Sequence, residues 1–258
     1  MRLISLNTWG GRIFEPLVQF IKREAPVTDI FCFQEIYFEN IFRDNASGIR
    51  TDLAEQIKNI LPGFLMVERL ASDVAHADDM EPNSAARIGE AIFVKKPMEV
   101  IESGGFHTFN PDRESLNEKI ESTTGNFQFV KIQHGGEDYL VGNIHGIWFP
   151  GSKFDTVKRI EQSRNLKDWI KEYSGKKVLC GDFNLQPATE SISMIDSDMR
   201  DLIKEFKIKS TRSHYYANME KYADYIADYI FVSRDIKVND FKVITDEVSD
   251  HLPLLLDF

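Results

Sequence analysis

The sequence predicts an α+β protein, an α/β sandwich in which two packed mixed β-sheets are flanked by helices. Short apolar strands occur along the whole chain, two of them joined by a clear hairpin signal, and a few amphipathic helices lie between them. Hairpins fit two sheets packed face to face better than a purely parallel sheet. The 258 residues contain no repeat and no Pro/Gly/Ser-rich linker, so residues 1–258 are predicted to form a single domain.

Apolar periodicity in the first part of the chain predicts strands alternating with helices. The predicted strands are Arg2–Leu6, Asp29–Gln34, Phe64–Val67 and Glu90–Val94, and the predicted helices are Glu15–Glu24 and Arg50–Leu61. Pro62-Gly63 ends the second helix. The polar, acidic stretch Ala71–Ser84 shows no periodicity and is predicted to be a loop.

The second part of the chain opens with the hairpin signal. Strands are predicted over Asn126–Ile132 and Tyr139–Ile144, on either side of His134–Asp138. The strongest helical pattern covers Lys153–Tyr173. Further strands are predicted over Val178–Gly181, Asp224–Val232 and Leu252–Phe258.

Composition limits the function classes. With 31 Lys and Arg against 41 Asp and Glu the net charge is −10, which disfavours non-specific binding of long nucleic acid because that affinity comes mainly from basic residues. No run approaches the roughly 18 apolar residues of a membrane span, and no signal peptide is recognised. A cytoplasmic monomer is predicted. Cys32 and Cys180 both lie in apolar runs and are interpreted as buried free thiols.

Polar side chains recur at the ends of the predicted strands. They are Asn7, Glu35, His145, Asp182 with Asn184, Asp228, and Asp250-His251. Because side chains alternate along a strand, Asp182 and Asn184 are expected to point to one side and Phe183 to the other. If the strands converge, these groups form one cluster on a rigid scaffold.

The chemistry of such a cluster favours metal-assisted hydrolysis of a phosphate ester. Oxygen ligands without cysteine favour Mg²⁺ or Mn²⁺, and Glu35 with help from Asn7 fits that requirement. Each piece alone has a simpler interpretation. Asn7 and the Gly-Asp-Phe-Asn segment are compatible with turns, Glu35 with an exposed strand end and His145 with a structural histidine.

Six ordered motifs carry a resemblance to a known family. They are Ser5-Leu6-Asn7-Thr8-Trp9, Phe33-Gln34-Glu35-Ile36, Gly142-Asn143-Ile144-His145, Gly181-Asp182-Phe183-Asn184, Ala227-Asp228-Tyr229-Ile230-Phe231-Val232 and Ser249-Asp250-His251. Together they resemble the endonuclease/exonuclease/phosphatase superfamily, which has the deoxyribonuclease I-like fold. The resemblance implies a four-layered sandwich and hydrolysis of phosphodiesters or phosphomonoesters with a divalent metal.

The resemblance also implies roles for the site residues. Asn7 and Glu35 would hold the metal, with Asp250 in or behind the metal site. Asp182 would orient or deprotonate water, and Asn184 would bind a phosphoryl oxygen. His251, paired with Asp228, would contact the scissile phosphate. His145 corresponds to a second histidine of some branches, and Glu90 is placed to be its carboxylate partner.

The preferred substrate class is a phosphodiester. A phosphomonoester or a lipid-headgroup diester is the alternative, and a nucleic acid is a further candidate partner. A non-catalytic scaffold is less favoured because no member of the motif set is missing. The run Lys204, Lys207, Lys209 and Arg212 is interpreted as a solvated helix face, with guidance of a polyanion as the alternative. Specificity is expected in Asp73–Glu81 and Asn110–Gly125.

Overall fold

The computed structural model describes residues 1–44, 46–75, 86–109, 125–148, 152–217 and 225–258. Two six-stranded mixed sheets pack face to face, which confirms the predicted fold class. The first sheet consists of β1 (Arg2–Asn7), β2 (Ile30–Tyr37), β3 (Phe64–Ala75), β4 (Ala86–Lys95), β11 (Asp240–Val243) and β12 (Leu254–Asp257), in the spatial order β11-β12-β1-β2-β4-β3. β1 and β2 are parallel, and the other pairs are antiparallel.

The second sheet has the same plan. It consists of β5 (Glu99–His107), β6 (Asn126–His134), β7 (Glu137–His145), β8 (Lys176–Asp182), β9 (Arg200–Asp201) and β10 (Asp228–Val232), in the order β5-β6-β7-β8-β10-β9. β7 and β8 form its central parallel pair. Each sheet therefore has two parallel strands near its middle whose carboxyl ends lie at the same edge.

Helices cover the outer faces of both sheets and complete four layers. They are α1 (Phe14–Glu24), α2 (Leu53–Ile60), α3 (Val157–Lys171), α4 (Glu190–Asp196) and α5 (Leu202–Glu205), with a short 3₁₀ helix over Trp9–Gly11. In β1, Ile4 and Leu6 pack beneath α1 and α2, whereas Leu3 belongs to the core that includes the second sheet. This alternation follows from the two-residue period of a strand. None of the helices in the described part of the chain is long and apolar enough to cross a membrane.

Several predicted boundaries were wrong for identifiable reasons. The helix predicted from Lys153 begins only at Val157, because the Thr156 side chain accepts a hydrogen bond from the Arg159 N–H at 3.2 Å and caps the helix. Lys153 has φ 57°, which a right-handed helix excludes. The loop predicted from Ala71 begins later, since β3 continues to Ala75. Residues 76–85 lie outside the described residues.

Other elements were not predicted at all. They are β5, β9, β11, α4, α5 and the 3₁₀ helix. Most of β5 is solvent-exposed and carries Gly104-Gly105, so it lacks the apolar signal of a core strand. The strand predicted from Asp224 begins at Asp228, and Asp224 itself lies outside the described residues, as do positions 110–124 of the predicted specificity stretch.

Candidate active site

The parallel pairs of the two sheets bring the strand-end side chains to one cavity. Asn7 pairs with Gln34 across β1 and β2, and His145 pairs with Asp182 across β7 and β8. Behind the cavity, Gln34 Nε2 donates to Asn143 Oδ1 at 2.6 Å and joins the two sheets. The cavity has a volume of ≈ 340 Å³.

The cavity contains most of the residues that the sequence predicts for the site. The predicted catalytic residues Glu90, His145, Asp182, Asn184 and His251 line it. The predicted metal residues Glu35 and Asp250 line it too. Asn7 and Asp228 are buried behind this lining, where they contact Glu35 and His251.

Glu35 reaches the cavity because of a β-bulge. By strict alternation it would share the face of Phe31 and Phe33, which pack beneath α1, away from the second sheet. The pairing of β2 with β4 shifts between Phe33 and Ile36, and Glu35 has φ 56°. A bulge re-aims a side chain in this way. The Glu35 carboxylate thereby lies 3.6 Å from His145 Nε2.

Asn7 holds two carboxylates. Its amide nitrogen donates to Glu35 Oε1 at 2.9 Å and to Asp182 Oδ2 at 3.2 Å. Its amide oxygen accepts from the Trp9 N–H at 3.0 Å, which fixes the orientation of the amide. In this arrangement Asn7 positions Glu35, and its amide oxygen keeps a second lone pair beside the one that accepts from the Trp9 N–H.

Asp182 and Asn184 both face the cavity, but not by strand alternation. β8 ends at Asp182, and Asn184 has φ 57°. The Asn184 N–H donates to Asp182 Oδ1 at 2.9 Å, and its side-chain amide donates to the Gly146 carbonyl at 2.9 Å. Phe183 is buried in the core, as the sequence predicts. The segment is therefore a turn that places the Asp182 and Asn184 side chains at the cavity.

His251 and Asp228 form a buried pair. His251 Nδ1 lies 2.8 Å from Asp228 Oδ1, and Thr211 Oγ1 donates to Asp228 Oδ2 at 2.6 Å. The Nδ1–H must therefore donate to Asp228, which leaves Nε2 facing the cavity, 3.6 Å from Asp182 Oδ2. Burial and Arg212 lower the pKa of His251, but the three nearby aspartates outweigh them, so its pKa lies above its ordinary value.

Asp182 stays ionised despite its burial. Burial raises its pKa, but the nearby positive groups, His251 and Arg212 first among them, hold the pKa of Asp182 well below its ordinary range. Asp250 behaves differently. Burial raises its pKa, and the attraction of His251 and Arg212 does not reverse this effect.

His145 lies between two carboxyl groups. Its Nε2 faces Glu35, and its Nδ1 lies 3.9 Å from Glu90 Oε1, which is too long for a hydrogen bond. Glu90 Oε2 accepts instead from the amide of Asn126. Burial raises the pKa of Glu90 to about 8, even though Asn126 and Arg69 lower it. Glu90 is therefore near His145 as predicted, and Asn126 is a partner that the sequence did not reveal.

Sequence reasoning missed Lys153 as a site residue. Only 7% of this lysine is exposed, and its Nζ donates to Asn184 Oδ1 within the cavity. Burial lowers the pKa of Lys153 to about 8. No sequence signal marks it, because it precedes an amphipathic helix and is easily assigned to that helix's polar face.

Arg212 was grouped with the wrong residues. Lys204, Lys207 and Lys209 are exposed as expected, but the predicted helix face was wrong beyond Lys204, because α5 ends at Glu205. Arg212 is only 3% exposed and lines the cavity. Its Nη1 lies against His251 Nε2, and its guanidinium stacks on Tyr216 with Cζ 4.3 Å from the ring centroid. The neighbouring Thr211 contacts Asp228, so this segment supports the whole His251–Asp228 pair.

Two groups of residues are candidate metal ligands. Among the described residues, ligand atoms of Asp182, Asp228 and His251 lie within 4.8 Å of one another. This trio fits a metal poorly, because both ring nitrogens of His251 already face Asp228 or Arg212. Glu35 and Asp250 offer carboxylate oxygens at the cavity, and Glu35 retains 28% side-chain exposure. Such a donor set fits a hard divalent cation that keeps several waters.

Comparison with known proteins identifies the family of the chain. The sequence profile of the Endonuclease/Exonuclease/phosphatase family matches residues 4–251. The chain belongs to that family. The family comprises hydrolases of phosphate esters, so the coarse reaction class follows from membership.

Individual relatives differ in what they are named for. A deoxyribonuclease of Thioalkalivibrio sp. (strain K90mix) is 27% identical over 141 residues, a match that covers 47% of this chain and 39% of that protein. The mannosyl-6-phosphatase of Bacteroides thetaiotaomicron VPI-5482 superposes with a TM-score of 0.74 at 18% identity, covering 100% of this chain and 98% of the other. TDP2 of D. rerio, complexed with a single-strand DNA product, superposes with a TM-score of 0.67 at 15% identity, covering 99% and 97%. Both structural likenesses support the fold.

Proposed function

We propose that this family member hydrolyses a phosphate ester with the help of a divalent metal, Mg²⁺ or Mn²⁺. The observation that carries the proposal is the arrangement of Asp182, Asn184 and the His251–Asp228 pair around one cavity, with Glu35 at its edge. This arrangement supplies the groups that in-line attack of water on phosphorus requires.

His251 stabilises a phosphoryl oxygen as negative charge develops on it. Asp228 fixes the ring orientation through Nδ1, and Nε2 faces the cavity. The surrounding aspartates favour the protonated ring, which makes Nε2 a donor. The remaining amide proton of Asn184 offers a second donor, because its other donor and its oxygen are held by Gly146 and Lys153.

Asp182 orients the attacking water. A carboxylate whose pKa lies well below its ordinary range is a weak proton acceptor, so orientation is favoured over deprotonation. Phosphoryl transfer through a loose transition state makes little demand on a strong base. Asn7 holds Asp182 in place through its amide nitrogen.

Glu35 and Asp250 would hold the metal, with Asn7 fixing Glu35. A bound divalent cation neutralises phosphate charge and lowers the pKa of a bound water. His145 lies between Glu35 and Glu90, without a hydrogen bond to either, and offers a further polar group at the cavity.

The test is hydrolysis of an aryl phosphodiester and an aryl phosphomonoester with Mg²⁺, Mn²⁺ or a chelator, by wild type and His251→Ala. Metal-dependent cleavage of either ester, lost in the variant, supports the proposal. If the wild type cleaves neither ester with either metal, the result contradicts the proposal and favours the non-catalytic scaffold. The relatives' names divide between nuclease and phosphatase, so they do not choose the ester class.

A further inference from the structure

Two buried cations of this chain, Lys153 and Arg212, remain unexplained by the roles above. Their exposed fractions are 7% and 3%, and both line the cavity. Burying a charge is costly unless it is compensated, and the compensating groups here are Asp182 and Asp228. Keeping these two carboxylates ionised does not by itself require two cations in the same cavity.

Each cation contacts one of the two residues that face the phosphoryl group. Lys153 Nζ donates to Asn184 Oδ1, and Arg212 Nη1 lies against His251 Nε2. The second contact joins two nitrogens. Arg212 Nη1 is a donor whatever the charge of the imidazole, so an anionic oxygen bound beside this contact would accept a hydrogen bond from it.

Arg212 has a further unused donor. Its Nε is buried and has no hydrogen-bond partner among the described residues. Its guanidinium stacks on Tyr216, which fixes the direction in which the planar fork of N–H donors points. A planar fork with free N–H groups is suited to a phosphate group.

We propose that Lys153 and Arg212 form an anion site that selects a terminal phosphate group, so that the substrate is a phosphomonoester. This inference rests on the proposed function and names its substrate class. A diester presents two non-bridging oxygens and one negative charge, whereas a monoester presents three oxygens and is a dianion above about pH 6. Cations in addition to the metal, His251 and Asn184 match the third oxygen and the second charge.

The chemical step is simple hydrolysis. The oxygen of water bonds to phosphorus as the ester P–O bond breaks, which gives the free alcohol and hydrogen phosphate. Lys153 and Arg212 bind the phosphate oxygens during this step and transfer no group themselves. They are specificity residues for the phosphate. The outer part of the substrate would contact the aromatic rim of the cavity, which includes Trp9 and Trp148.

The test compares substrates and variants. Wild type, Lys153→Met and the matched control Lys209→Met, which removes an exposed lysine, are assayed on an aryl phosphomonoester and on its methyl diester. Because the two esters differ in intrinsic reactivity, each variant is compared with wild type on the same substrate. We expect Lys153→Met to lower kcat/KM for the monoester by about tenfold to hundredfold, the factor for one charge-assisted hydrogen bond, and to change the diester far less. Equal losses on both esters would overturn the inference.

A binding measurement without metal separates this inference from the proposed function. Inorganic phosphate is titrated by calorimetry into wild type, Lys153→Met, Arg212→Lys and Lys209→Met. We expect weaker binding in the first two variants and unchanged binding in the control. Unchanged phosphate affinity in both Lys153→Met and Arg212→Lys would overturn the anion site. If the wild type binds phosphate through Lys153 but hydrolyses neither ester with metal, the anion site stands and the proposed function fails.

Arg212→Lys is used because removal of the charge endangers folding. Arg212 faces three aspartates, and a neutral residue there would leave them uncompensated. Lysine keeps the charge and loses the fork, so the variant measures the contribution of the planar donors. A folded Arg212→Lys protein with wild-type preference between the two esters would remove Arg212 from the site.

Discussion

The two sides of the cavity differ both in charge and in the kind of element that carries them. The acidic side, Asn7 and Glu35, lies on β1 and β2 of the first sheet. The basic side, Lys153 and Arg212, lies in connections that follow or precede strands of the second sheet. Asp182 lies between them, bonded to Asn7 and attracted by both cations. On the proposed roles, metal binding belongs to one side and phosphate binding to the other, so we expect that each can be changed alone.

Removing a group that acts directly in the proposed chemical step should have the largest effect. We expect His251→Ala and Asp182→Ala each to lower kcat by roughly 10²- to 10⁴-fold, because each removes a group that acts in the transition state. Steady-state kinetics on the better of the two aryl esters measures this loss. Circular dichroism of both variants controls for folding, and turnover near that of wild type in either would mean that the residue is assigned wrongly.

Changing the acidic side alone should alter the metal requirement. Glu35→Gln removes a carboxylate ligand, and Asn7→Ala removes the amide that holds it in place. For the Asn7 variant we expect metal affinity to fall by about 10- to 100-fold, as for other residues that orient a ligand, and a larger fall for Glu35→Gln. Activity is titrated against Mg²⁺ and Mn²⁺. An unchanged titration curve for Glu35→Gln would exclude Glu35 from the metal site.

Changing the charge of the basic side should alter phosphate binding with pH. Burial lowers the pKa of Lys153 to about 8, with Asp182 and Asp228 raising it and Arg212 and Arg159 lowering it. Lys153 is therefore charged below that pH and loses its charge above it. Because the charged fraction falls from about one half to about one tenth, we expect the affinity for inorganic phosphate to fall by roughly fivefold between about pH 8 and about pH 9.

The variant Lys153→Arg tests the origin of that pH dependence. Arginine stays protonated throughout this range, so the fall above about pH 8 should disappear. Persistence of the same fall in Lys153→Arg would assign it to another group.

The exposed lysines should show the smallest effect. Lys207 and Lys209 precede Arg212 in the chain but lie at the surface. We expect the double variant Lys207→Gln, Lys209→Gln to leave kcat/KM on the aryl esters within about twofold, because exposed charges are screened by solvent and salt. A large, salt-sensitive loss on a longer polyanion, measured at several ionic strengths, would instead favour guidance of such a substrate by these lysines.

Much of the fold was predictable because its signals are local. The hairpin of β6 and β7 and helix α1 were predicted within a few residues, since each has its own apolar period. The exposed strand β5 and the short helices α4 and α5 were missed. An exposed strand buries little apolar surface, and a helix of one or two turns is too short to establish a period.

The site was predictable to the extent that strand ends converge. Asp182, His145 and Asp228 are cross-strand neighbours, so their order along apolar strands was informative. Lys153 gave no such signal, because its hydrogen-bond partner Asn184 lies 31 residues further along the chain.

The sequence by itself determined the family and the set of oxygen and imidazole groups at the candidate site. The strand pattern and the order of the polar residues can both be recognised in short segments of the chain. Tertiary structure decided where those groups point and which charges accompany them. The bulge turns Glu35 from the helix side toward His145, and the left-handed backbone turns Asn184 beside Asp182. Packing against His251 makes Arg212 a cavity residue, unlike the exposed lysines before it. Backbone conformation and burial depend on contacts between distant segments, which no local pattern records.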